Sequence, residues 1–382
     1  MGIPGSANLL LAAAEAEPYQ LEQSLRFNPA DDTTLTVHSG WSSQRSWTWS
    51  CWLKVSKISS EQYIWLSRGT NSGLHLTASN ELRTLFNSYG VGTGVYLRDP
   101  SAWYHIVVKA EDYSASSPGY SDIYVYVNNE LVQTRDAQPR GVFTFSNQTV
   151  YIGRYGDYTP ASYEFDGYMA EMHMTDGTAY DPTDFGEYDD NGVWRPIEVT
   201  GLNYGSNGFY HTFDPSATNG IGHDHSGNGN NSTPYGFTTS GPGTDVFSDT
   251  PTTNYCTINP LNNGTGDTEN GVLEHSRGTG DSNSTTFGTF GVTSGKWYWE
   301  AELYSTSGGS YSIGIGFGND DMVLGDNTKC LVYSSYQGEK VGSGSYTSYG
   351  DSYGVGDIIG VALDLETQDI EFYKNGASQG VA

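Results

Sequence analysis

Nine consecutive residues, Trp47-Thr48-Trp49-Ser50-Cys51-Trp52-Leu53-Lys54-Val55, limit the possible fold more than any other stretch of this chain. Large apolar residues recur with the period of two that places alternate side chains on opposite faces of a strand. Three tryptophans in such a run predict a strand in the middle of a sheet core. Shorter runs of the same kind follow at Ser24–Phe27, Thr33–Val37, Tyr63–Leu66, Leu74–Leu76, Trp103–Val108, Ile123–Val127 and Val150–Gly153, each bounded by Gly, Asn, Asp or Pro. No long segment carries a helical period, so the expectation is an all-β protein.

Turn chemistry agrees. Tyr126-Val127-Asn128-Asn129-Glu130-Leu131-Val132 reads as a hairpin, because Asn tolerates the positive φ angles of a tight turn. In the second half, Tyr255–Ile258, Lys296–Leu303, Ile313–Phe317 and Asp357–Asp364 read as strands, and Asn375-Gly376 signals another hairpin. The strand returning from it is expected near Gln379, and the sequence stops at Ala382, which predicts an incomplete last domain.

Composition narrows the function. The 382 residues suggest two to three domains at a prior of about 150 each. Glycine (49 residues, about 13%, against a usual ~7%) and a 14% aromatic content suit aromatic-rich sheets. A formal charge of −27 repels nucleic acid, so no nucleic-acid partner is expected. Three scattered cysteines, Cys51, Cys256 and Cys330, supply neither a disulfide framework nor a metal-ligand pair. No apolar run reaches the ~18–20 residues of a membrane helix, and no membrane insertion is expected.

The first residues differ from the rest. Asn8 reads as an N-cap, Leu9 starts a possible two-turn helix, and Pro18 stops it. A helix that short needs something to pack on. Residues 1–21 are therefore expected to be a docking segment, with Gly2, Ile3, Pro4, Leu9, Leu10 and Leu11 as its contact residues. Two other readings stay open: a secretory signal, although no basic residue precedes Leu9–Ala14, and a loose myristoylation pattern at Gly2 and Ser6.

Two resemblances rest on these strands. Trp103–Val107, Tyr124–Asn129, Tyr151–Gly153 and Phe165–Met172 together resemble a concanavalin A-like, laminin-G-type jelly roll over 22–214. Gly295–Glu300, Ile313–Gly316, Gly356–Asp364 and Phe372–Gly376 resemble a SPRY domain over 250–382. Residues 215–249, rich in Gly, Asn and Ser, are expected to connect them. Both resemblances imply antiparallel sandwiches, so the expected fold is a tandem pair behind a short N-terminal docking segment. The Gly2–Asn8 start and Ser226-Gly227-Asn228-Gly229-Asn230-Asn231 add a resemblance to structural proteins of marine tailed bacteriophages, tail fibres in particular.

Candidate chemistry is sparse. Glu300-Ala301-Glu302 has the alternation that a retaining glycosidase places on one strand, and Glu171-Met172-His173 matches part of a glucanase pattern. Solvent-facing strand positions explain both, and no catalytic residue is assigned. His223-Asp224-His225 reads as a loop rather than a metal site. Asp189-Asp190-Asn191-Gly192 and Asn319-Asp320-Asp321 offer oxygens suited to calcium, which some laminin-G-type domains use, yet turn chemistry accounts for them. No cofactor is expected beyond that calcium option, and no metal residue is assigned. Sugar recognition needs aromatic faces with polar neighbours in loops, which selects Tyr155, Asp157 and Tyr158 in one loop and Tyr349, Asp351 and Tyr353 in another. Cross-strand tyrosine packing is the competing reading.

The phage resemblance implies a non-enzymatic virion protein made in the bacterial host cytoplasm and placed in the tail as a homotrimer. Its N-terminus would bind a tail adaptor, nozzle or capsid protein, and its sandwiches a host-surface receptor such as a glycan. Capsid decoration or a head fibre is one alternative. A secreted carbohydrate-binding or carbohydrate-cleaving protein is another.

Overall fold

The computed structural model describes residues 18–40, 46–86, 88–112, 120–139, 146–156, 163–241, 243–261, 266–276, 286–305, 314–318, 330–335, 337–342 and 345–382. Regular structure among them is strand apart from three single-turn 3-10 helices. Two compact units result: the chain to Leu261 with Thr268–His275, and the remainder to Ala382. Gly2, Ile3, Pro4, Leu9, Leu10 and Leu11, expected to dock, lie outside the described residues.

The first unit holds two antiparallel sheets. One has the order β10 (Glu130–Pro139), β9 (Tyr120–Val127), β8 (Trp103–Asp112), β3 (Trp47–Val55), β12 (Gly167–Asp176), β1 (Ser24–Phe27) and β17 (Val246–Phe247), with β15 (Phe209–His211) also on β12. The other runs β16 (Thr233–Tyr235), β2 (Thr34–Gly40), β11 (Ser146–Ile152), β4 (Gln62–Ser67), β5 (Ser72–Leu76), β6 (Glu81–Phe86) and β7 (Tyr89–Tyr96). Their inner faces share one core, in which Trp49 of β3 meets Trp65 of β4 with ring centroids 6.0 Å apart. The period of two in β3 has the predicted consequence: Trp47, Trp49, Cys51, Leu53 and Val55 enter this core.

The alternate residues of β3 are not solvated. Every position of β3 and β12 is buried, because a further layer covers the outside of the eight-stranded sheet. There Trp52, Trp103, Tyr168 and Ala170 pack with Trp194 from the hairpin β13 (Gly186–Tyr188) and β14 (Trp194–Pro196), and with Leu21 and Phe247. A bulge between Ala170 and His173, with Glu171 at φ 47°, lets one edge of β12 take β1 before it and β15 after it.

Residues 215–249 correct the expectation of a connector. β16 pairs with β2, β17 pairs with β1, and Arg26 forms a buried ion pair with Asp245 at 2.8 Å. The Gly-, Asn- and Ser-rich composition reflects a loop built around one carboxylate. Asp224 accepts from the backbone N–H groups of Tyr210, Ser226 and Asn230, while Asn228 and Asn230 donate to the carbonyl of Gly208. Tyr255–Ile258 forms no strand; it lies in the first unit, where Lys54 holds the carbonyl of Tyr255. The first unit therefore extends past the predicted boundary at 250. Beyond it, β18 (Asp267–Glu269) and β19 (Glu274–Ser276) form a small two-stranded sheet.

The second unit contains the four-stranded sheets β20 (Lys296–Glu302), β25 (Ile358–Asp364), β26 (Asp369–Lys374), β27 (Ala377–Val381) and β21 (Gly314–Gly318), β22 (Cys330–Ser334), β23 (Glu339–Gly342), β24 (Ser345–Ser348). Tyr333 of β22 packs on Phe372 of β26 at 5.5 Å and joins Ile359, Val361 and Leu363 in the core. Both predicted hairpins form with left-handed turn residues, Asn128 and Asn129 at φ 48° and 70°, and Asn375 and Gly376 at φ 49° and 79°. The returning strand starts at Ala377, earlier than expected, and pairs with β26 as far as Val381.

Candidate ligand-binding site

The outer face of the seven-stranded sheet carries an aromatic cluster. Register places Tyr151, Leu66, Gly73 and Leu85 in one row across β11, β4, β5 and β6, and Tyr63, His75 and Arg83 in the next. Tyr63 stacks on His75 with centroids 5.0 Å apart and planes 15° from parallel.

Gly153 delivers Tyr155 to this face. It follows β11 at φ 89°, and a Cβ there would lie 2.3 Å from the ring of Phe27, so the sharp exit requires glycine. Two residues on, the ring of Tyr155 meets Tyr63 edge-on at 4.8 Å and Tyr163 at 6.0 Å. Its hydroxyl donates to Asn71 Oδ1 at 3.3 Å. Asn71 closes the turn between β4 and β5 at φ 49°, and its amide donates to Ser88 Oγ at 3.0 Å.

Between this turn and the Tyr155 loop lies an open cleft of about 270 Å³, lined by Leu66, Arg68, Gly69, Thr70, Asn71, Tyr155 and Gly156. Its lining brings together an aromatic, an amide, a hydroxyl and a guanidinium side chain beside the sheet. That set can stack on an apolar sugar face and exchange hydrogen bonds with its hydroxyls. Burial, helped by the Arg83 charge, lowers the pKa of His75 to about 4, so the ring under the cluster is neutral at pH 7. Burial chiefly, with Asp32 adding to it against Arg154, raises Glu164 beside Tyr163 to about 7.

Of the residues selected from sequence, Tyr155 lines the cleft, while Asp157 and Tyr158 lie outside the described residues. The second loop serves a different purpose. Tyr353 is buried and donates to the carbonyl of Tyr333 at 2.8 Å, and Tyr349 packs against the same core and donates to the carbonyl of Gly380. These two rings fill a core, as the packing reading holds, and only Asp351 is exposed. Arg68, Thr70 and Asn71 were missed by the sequence reading. Their polar turn, Arg68-Gly69-Thr70-Asn71, gave a signal for a turn and none for a site.

The acidic motifs settle in closed or open surroundings. Glu171 is buried and accepts hydroxyls from Tyr19 at 3.1 Å and Tyr210 at 3.0 Å, while Tyr210 stacks on His173 at 4.2 Å. Glu300 and Glu302 stand exposed on one face of β20. Asp189 Oδ1 accepts from the backbone of Asn191 and Val193 at 2.9 Å, which is turn chemistry. Asn319, Asp320 and Asp321 lie outside the described residues. No group of three or more potential metal ligands occurs among the described residues.

Known proteins match the two halves separately. The family model of the concanavalin A-like lectin/glucanases superfamily matches residues 29–180, and that of the SPRY domain matches residues 296–382. The chain thus carries a concanavalin A-like, laminin-G-type domain followed by a SPRY domain. The ATP-dependent RNA helicase Ddx1 of Drosophila melanogaster is 33% identical over 88 residues, which cover 23% of this chain and 12% of the helicase. Among solved structures, a Bacteroides ovatus protein named as a candidate carbohydrate-binding protein aligns with 57% of this chain and 59% of its own, at 19% identity and a TM-score of 0.41. A heptameric SAP-like pentraxin from Limulus polyphemus aligns with 50% of this chain and 93% of its own, at 13% identity and a TM-score of 0.35.

Proposed function

We propose that this protein is a non-enzymatic bacteriophage virion component, a homotrimeric tail fibre that binds a host-surface glycan through the cleft beside Tyr155. One observation supports the binding role: Tyr155, Asn71, Thr70 and Arg68 line one open cleft of the sandwich. The tail role rests on the resemblance of the N-terminal and Asn/Gly-rich motifs to tail fibres of marine phages. In that reading residues 1–18 grip a tail adaptor, nozzle or capsid protein. The hydrogen bonds of Tyr19 to Glu171 and of the Leu21 N–H to Thr252 would fix where this leader departs.

A glycan array with the full chain tests the binding role. Tyr155→Ala and Asn71→Ala are each expected to weaken the best glycan about tenfold, as loss of a stacking ring or a hydrogen-bonding partner does. Undiminished binding by both variants, or no glycan bound by the parent, overturns it. For the tail role, deletion of residues 1–18 should leave a folded protein that no longer enters particles; normal incorporation overturns it.

A further inference from the structure

The outward face of the sheet β20-β25-β26-β27 carries a constellation that the glycan reading does not use. Ile359, Val361, Leu363, Ile370 and Phe372 turn into the core, so their alternates face away from it. On that outer face Tyr298 lies across Gly360; a Cβ on Gly360 would fall 2.3 Å from the Tyr298 hydroxyl. Glycine at this position is what lets the ring lie down on the sheet. Tyr298 remains 55% exposed, and Tyr373, in register with Gly360, meets it at 6.3 Å with planes 75° apart. The two rings make a floor and a wall.

Each ring has a carboxylate beside it. The Tyr298 hydroxyl donates to Glu300 Oε1 at 2.7 Å, and Glu371, whose carboxylate beside Tyr373 pushes that phenol's pKa up, accepts from Ser378. A phenol donating to a carboxylate stays neutral, and its ring gains electron density, which strengthens attraction for a cation over its face. Glu302, Asp364 and Asp369 share this side of the sheet, where Lys296, the one cation among the described residues of these strands that faces this way, is paired with Asp364 at 2.9 Å. Among the described residues the face thus offers π density and more acceptors than donors. A sugar needs donors as well as acceptors; a guanidinium or ammonium needs only acceptors and a ring face.

We propose that Tyr298, Tyr373, Glu300 and Glu371 form a receptor for an arginine or lysine side chain presented by a basic segment of a partner polypeptide. The guanidinium lies on Tyr298 against Tyr373, and the two carboxylates accept its N–H groups.

The test titrates a blocked Gly-Arg-Gly-Arg-Gly peptide into the full chain, followed by the aromatic NMR resonances of Tyr298 and Tyr373. The same peptide with citrulline in place of arginine, which keeps the shape and removes the charge, is the comparison. Both ring signals should move with arginine and stay still with citrulline. Tyr298→Leu and Tyr373→Leu leave the net charge at its parent value and should each weaken binding about two- to fivefold, the range of an exposed cation–π contact. Glu300→Gln should weaken it further than Glu366→Gln, a removal of equal charge outside the constellation. Equal binding of the citrulline peptide, undiminished binding by both leucine variants, or ring shifts produced instead by methyl glucoside would each overturn the proposal. Because the ring shifts are read on the parent protein, the result stands apart from the fate of the Tyr155 cleft.

Discussion

Lys54 and Asp249 are 195 residues apart in sequence, yet Lys54 Nζ lies 2.8 Å from Asp249 Oδ2 beneath the outer layer of the first unit. The ammonium is fully buried and makes two more bonds, to Asn254 Oδ1 at 2.9 Å and to the carbonyl of Tyr255 at 3.0 Å. The other carboxylate oxygen of Asp249 accepts from the indole of Trp103 at 3.1 Å. Burying either charge alone is costly, but each is surrounded by partners. The pair fastens the chain between 245 and 255 to the central strand of the sandwich.

Removing one partner should therefore cost far more than removing both. Asp249→Ala is expected to lose about 3–5 kcal/mol in urea unfolding, because it strands the Lys54 ammonium in a buried site. Lys54→Met combined with Asp249→Leu should recover much of that loss. A double variant no better than Asp249→Ala would show that the pair is not the fastening.

The edge of the sandwich is closed by a side chain. Gln133 of β10 accepts from Thr84 Oγ1 at 2.6 Å and donates to the carbonyls of Gly92 at 2.9 Å and Val91 at 3.3 Å in β7. Gln133→Leu removes the partner of the Gly92 carbonyl and the nearer acceptor of the buried Thr84 hydroxyl and should cost about 1–3 kcal/mol. Amide hydrogen exchange across β6 and β7 should accelerate while that of β3 stays slow. Uniform acceleration across the unit would argue for general destabilisation instead.

Acidification should destabilise the protein between about pH 6.5 and 4. Burial, with His173 contributing, lowers His105 to about 3, and burial lowers His211 and His75 to about 4. Each binds its proton more readily when unfolded, so its contribution is present above the unfolded pKa of ~6.5 and is lost as pH falls. Asp224 adds to the loss only at lower pH, below the ordinary aspartate pKa of ~3.9: burial alone would raise it, but hydrogen bonds from Tyr210, Ser226 and Asn230 prevail and hold it low. Glu164 and Asp166 oppose this, since burial raises them to about 7 and 6 and their contribution is lost as pH rises. The three histidines should outweigh the two carboxyls between about pH 6.5 and 4, giving a Tm that falls on acidification. His105→Asn should flatten that slope, whatever it does to the Tm itself; an unchanged slope would remove His105 from the explanation.

The sequence by itself determined the strands whose side chains alternate and the two Asn-led hairpins, because both depend on local sterics that act over a few residues. It placed Tyr155 in a candidate site for the same reason, as an aromatic residue in a polar loop. It missed β6, and it missed β7, where Gly90, Gly92 and Gly94 dilute the alternation. Composition also misread residues 215–249, since Asn, Gly and Ser build tight hydrogen-bonded loops as readily as flexible linkers. Only the tertiary structure decided which polar residues are buried, which tyrosines fill a core and which turn faces Tyr155. Those outcomes depend on partners far away in sequence, as Lys54 depends on Asp249, and the energy of a buried charge or ring is set by what surrounds it in space.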